Sequence, residues 1–157
     1  MRLTIIRTIA IGALGLSAAA CSRPATVPSD PVVSHVGTVD QLVGSLRGQG
    51  QSVSVGDETS PQRNGYFSVP SRDVLVGGAR LKAFEYDTAT KASADAALIS
   101  ADGQPNPRAA IGWIAAPHFY KQGQLIVLYV GCANDIITTL ENLLGPAIAT
   151  GPGCGTS

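Results

Sequence analysis

The run Leu125-Ile126-Val127-Leu128-Tyr129-Val130 limits most strictly how this chain can fold. Six consecutive apolar residues bracketed by Gly123 and Gly131 read as a strand rather than a helix. Side chains alternate across a strand, so an unbroken apolar run needs both faces covered and belongs in the middle of a sheet. Ile111 to Tyr120 precedes it with a similar composition, and Gln122-Gly123 between the two predicts a hairpin turn. Arg72 to Val76 and Ala79 to Tyr86 flank Gly77-Gly78, a second two-residue hairpin signal. Ser52 to Val55 alternates polar and apolar as a half-buried strand does, and Gly56 to Gly65 reads as a polar loop.

Three segments have helical character. Thr38-x-x-Gln41 is a capping box, followed by Val39, Leu42, Val43 and Leu46 at helical spacing and by Gly48 as a stop. Thr88 to Ser100 is rich in alanine, and Asp102 to Pro107 is a loop. Ile136, Ile137, Leu140, Leu143 and Leu144 form one stripe, with Asn134 as cap, Asp135 at the positive end of the helix dipole and Gly145-Pro146 as the stop. The predicted order is α-β-β-β-α-β-β-α. Local hairpins imply an antiparallel sheet of about five strands with helices packed on one face, an α+β domain over residues 37–157.

Residues 1–21 follow a different grammar. Arg2 and Arg7 form a positive start, Thr8 to Leu16 is apolar, and Ser17 to Ala20 are small residues leading to Cys21. These are the three parts of a secretory signal. With a cysteine directly after the small-residue box, the segment resembles the bacterial lipoprotein signal, which implies lipidation of Cys21. Ala18-x-Ala20 also suits plain secretion. An uncleaved anchor would need about 20 apolar residues, more than this run holds. Residues 22–36, with Pro24, Pro28 and Pro31, read as a flexible tether reaching on the order of 40 Å when extended. The expectation is an extracytoplasmic domain held to a membrane through a lipid on Cys21.

Charge and cysteine usage narrow the partners. Without Arg2 and Arg7, nine basic side chains face eleven acidic ones. That balance, without clustered Lys or Arg, argues against nucleic acid and against a basic grip on an anionic membrane. Cys132 and Cys154 remain as a pair if Cys21 is acylated, and outside the cytoplasm such a pair forms a disulfide. The bridge would staple the Gly-Pro-rich tail to the end of the last strand. The alternative is a reactive thiol: Cys132 lies just before a helix, where the dipole lowers a thiol pKa, and His118 is a candidate base.

Other candidates are weaker. His118, with Tyr120 and Lys121 nearby, reads either as a ligand or base or as a hydrogen-bonded structural histidine. Glu85 and Asp87 flank Tyr86, and alternation puts both acids on one face, as paired-carboxylate chemistry or a plain solvated face would. Trp113, Phe119, Tyr120 and Tyr129 read as packing residues. Two histidines in unlike settings give no metal spacing, and the glycines give no nucleotide loop, so no cofactor is expected.

The segment His118-Phe119-Tyr120-Lys121-Gln122-Gly123-Gln124-Leu125-Ile126-Val127-Leu128-Tyr129-Val130-Gly131, together with Phe84-Glu85-Tyr86, resembles small uncharacterised bacterial lipoproteins. The resemblance covers much of Val39 to Gly145 and rests on packing residues and turns. It implies an envelope address and carries no catalytic residues with it. The functional expectation is a non-enzymatic binding module for an envelope protein or cell-wall component. The alternative is a small hydrolase or thiol enzyme using His118 with Cys132 or with the Glu85/Asp87 pair.

Overall fold

The computed structural model describes residues 36–105 and 111–154. The leader, Cys21 and nearly all of the expected tether lie outside them. The described chain forms α1 (Val39–Gly48), β1 (Val53–Thr59), α2 (Pro61–Asn64), β2 (Ser71–Val76), β3 (Ala79–Glu85), α3 (Ala89–Ala96), β4 (Pro117–Gln122), β5 (Leu125–Val130), α4 (Asn134–Leu144) and β6 (Ala149–Thr150). The strands make one six-stranded sheet in the order β1-β2-β3-β5-β4-β6, with every neighbouring pair antiparallel. The α+β class stands, with six strands where about five were expected. The additional strand is β6, formed by the tail along the outer edge of β4.

β5 lies between β3 and β4, and all of its residues up to Tyr129 are buried. Leu125, Val127 and Tyr129 point into a core under α1 and α4, with Leu42, Leu46, Leu81, Tyr120 and Leu140. Ile126 and Leu128 point the other way, into a second core with Phe84, Phe119, Phe67 and Ala92 of α3. Contrary to the sequence expectation, the helices therefore do not share one face. α1 and α4 cover one side, while α3 and the aromatic segment around Phe67 cover the other. The reason lies in β5 itself. A two-layer sandwich would leave Ile126 and Leu128 wet, forgoing roughly 1.5–3 kcal/mol for each.

Local chemistry explains most boundaries. Thr38 Oγ1 accepts from Gln41 N–H at 3.2 Å, while Gln41 Oε1 accepts from Gly37 N–H at 2.8 Å, so the capping box closes one residue earlier than its usual form. Val36, expected at the end of the tether, is 1% exposed and packs in the α1 core. β1 runs on to Thr59, through a bulge between Val55 and Glu58, where a loop was expected. A single helical turn then follows, started by Pro61 and closed by Gly65 at φ 69°. Gly77 and Gly78 both have positive φ, as their tight hairpin requires.

The second hairpin turns at Gly123-Gln124 rather than Gln122-Gly123, because Gln122 pairs with Leu125. α3 is shorter than the alanine-rich run. Thr88 caps it, and tighter turns take over after Ala96. β4 begins only at Pro117. Before it, the side chain of Gln104 pins Ile111 through both its backbone groups, at 2.8 and 3.2 Å. Asn134 is the first residue of α4 rather than its cap, and Ala133 takes the cap position without a side-chain bond.

Candidate functional site

The sequence candidates fall into two places. The first is the corner where β4, β5 and the tail meet. Cys132 follows β5, Cys154 lies beyond β6, and the two form a disulfide with Cα atoms 5.5 Å apart. His118 Nε2 lies 3.0 Å from the carbonyl oxygen of Gly131, which can only accept, so this nitrogen carries the proton. The ring also stacks on Tyr129, its cross-strand neighbour, at 5.9 Å between centroids. His118 is 7% exposed. Cys154 Sγ sits 3.4 Å from the same Gly131 oxygen. His118 and the cysteines thus do meet, as a thiol-enzyme reading would require. However, the sulfur is spent in the bridge and the imidazole N–H is spent on the backbone.

Tyr120 is completely buried in the α1–α4 core, and its hydroxyl has no hydrogen-bond partner among the described residues. Burial, then the charge of Glu141 and then Tyr129 push its phenol up to about 12. It offers nothing to a ligand at the surface. Tyr129 has a defined partner, since its hydroxyl accepts from Ala133 N–H at 3.2 Å at the start of α4.

The second place is a cleft of about 530 Å³ beside the start of α1. Its charged lining is Asp40, Glu58, Arg72, Glu85 and Asp87, with Gln124 on the rim side of β5. Glu85 ends β3, and its Oε2 accepts from Val39 N–H at 2.9 Å. A carboxylate there satisfies one of the free amides of the helix and sits at its positive end. Asp87 is fully exposed and pairs with Lys91 at 2.6 Å. That bond and the lysine's charge hold Asp87 below the usual carboxylate range. The two acids line one cleft but hold different partners, Glu85 the Val39 amide and Asp87 the Lys91 ammonium.

Arg72, Glu58 and Asp40 were not read from the sequence as cleft residues. Arg72 and Glu58 meet because β1 and β2 place them opposite each other, 3.6 Å apart at the nearest atoms. Finding that pair from the sequence would have required the bulge at Gly56-Asp57, which resets the register. The opposite face carries an aromatic cluster, also unread as a unit. Tyr66 stacks on Trp113 at 5.8 Å, and Phe67 meets Phe84 edge-on at 4.8 Å.

Among the described residues, no three His, Cys, Asp or Glu side chains are placed to hold a metal. No described helix is long and apolar enough to cross a membrane. Fold and site together define an antiparallel α+β domain with a bridged tail and an acid-lined cleft. Comparison with family models, with curated proteins and with solved structures finds no match to this chain.

Proposed function

We propose that the chain is a membrane-tethered extracytoplasmic lipoprotein whose domain serves as a non-enzymatic binding module of the cell envelope. The observation that carries this reading is the Cys132–Cys154 disulfide. Such bridges persist in oxidising compartments, the same destination that a leader ending at Cys21 encodes. The cleft at Glu85 supports the binding role, since of the expected interaction residues Glu85 alone reaches a surface depression, where Asp40, Glu58, Arg72 and Asp87 join it. His118 and Tyr120 support it by being committed to the interior, which leaves the surface to recognition rather than proton transfer.

Intact mass of the native product, with fractionation of the cells that make it, tests the address. The expected product lacks residues 1–20, carries a lipid on Cys21 and sediments with membranes, whereas Cys21→Ala does not sediment. A cytosolic product that retains Met1 and three free thiols would overturn the reading. Crosslinking in intact envelopes tests the role. A wild-type adduct that weakens in Asp87→Ala supports a docking cleft, and an adduct indifferent to every cleft substitution would refute it.

A further inference from the structure

The tail after α4 is held to the sheet by few contacts besides its bridge. β6 is two residues long and pairs with β4 only through His118 and Phe119. Ile148 N–H donates to Phe119 O at 2.7 Å, and Gly151 N–H donates to Pro117 O at 2.9 Å. Beyond Gly145, Ala149 is the one described residue buried in a core cluster, and Ala147 packs against the other core. Gly151 and Gly153 lie backbone against backbone. A Cβ at Gly153 would come within 2.8 Å of Ala116 N, and one at Gly151 within 2.7 Å of Pro117. This stretch therefore makes close contact without a side chain to anchor it.

The bridge itself is open to solvent, with Cys132 and Cys154 both exposed. The strands it closes against have ties of their own. β4 pairs with β5 over six residues, and the His118–Gly131 bond spans those strands without the tail.

We propose that Cys132–Cys154 is a redox latch whose reduction by a dithiol frees residues 148–154 from β4 while the rest of the domain stays folded. One thiolate of the dithiol attacks Cys154 Sγ and breaks the S–S bond. Cys132 leaves as a thiolate and takes a proton. Cys132 is the better leaving group because it stands just before the positive end of α4. The second thiol of the reductant, as its thiolate, then attacks the mixed disulfide at the reductant's own sulfur. Cys154 departs as a thiol and the reductant leaves as its own disulfide, so two electrons and two protons have moved. With the covalent tie gone, a two-pair ladder, the flanking Ile148 and Gly151 hydrogen bonds and one buried alanine must hold a glycine-rich tail. Opening it uncovers the outer edge of β4 at Pro117 and Phe119.

Hydrogen exchange on the full chain, before and after dithiothreitol, tests this. The Ile148 and Gly151 amides are expected to exchange roughly tenfold faster or more in the reduced protein, while amides of β5 and α4 keep their protection within about twofold. The double variant Cys132→Ser/Cys154→Ser should match the reduced protein. Three results would overturn the latch. The tail amides could stay protected after reduction, all amides could lose protection together, or the native bridge could resist dithiothreitol until the domain is unfolded.

Discussion

Tyr120→Phe isolates the energetic effect of one buried atom. The Tyr120 ring is fully buried beneath α1 and α4, and its hydroxyl finds no acceptor or donor there. An unsatisfied buried hydroxyl costs about 1–3 kcal/mol, whereas phenylalanine keeps the ring and its packing. Removing the oxygen should stabilise the domain by about 1 kcal/mol, after subtracting the contacts the oxygen itself makes. For a domain of this size the midpoint should rise by about 4 °C.

The same hydroxyl gives the wild type a pH signature. Its folded pKa is raised from the ordinary 10.0 to about 12. The folded protein therefore keeps a proton that the unfolded chain releases, and the neutral phenol favours folding fully below pH 10. That contribution drains as pH rises through the window to about 12, at about 1.4 kcal/mol per unit. Tyr86, also raised by burial and by Asp95, contributes a loss of the same sign in both proteins. Urea unfolding followed by Trp113 fluorescence at pH 7 and pH 11 reads both effects. The gap between Tyr120→Phe and wild type should widen at the higher pH. A variant less stable than wild type by more than about 1 kcal/mol at pH 7 would show that the hydroxyl is bonded, by an internal water for example, and would refute the reasoning.

Three further substitutions probe the architecture. Glu85→Ala removes the acceptor for Val39 N–H and the charge at the start of α1, and should cost about 1 kcal/mol in denaturant titration, with Glu85→Gln recovering part of it. Gly131→Ala drives a methyl into the Tyr129 phenol, which in turn holds Ala133 N–H. A loss of at least about 2 kcal/mol is expected, with fraying at the first turn of α4 visible by hydrogen exchange. Phe119→Ala empties a fully buried site flanked by Phe67 and Trp113, and should cost about 3–5 kcal/mol with a red shift of the Trp113 emission.

Much of the fold is local and was therefore legible. The periodicity of α1 and α4, the glycine pair between β2 and β3 and the apolar run of β5 each report on neighbours a few residues away. The Cys132–Cys154 pair was legible too, because two cysteines leave one pairing once Cys21 is set aside as the expected lipidation site. The cleft was half legible: Glu85 and Asp87 stood out by spacing, while Arg72 joined only through a strand register reset by a bulge.

The sequence by itself determined α1, α4, the β2–β3 hairpin and the central strand β5, because side-chain period and turn chemistry act over short range. Tertiary structure alone decided which face each helix covers and that the tail becomes a sixth strand. It also decided that His118 Nε2–H donates a hydrogen bond to the Gly131 carbonyl. Those outcomes depend on burying both sides of β5 at once and on which backbone groups lie alongside one another after packing. No window of neighbouring residues contains that information.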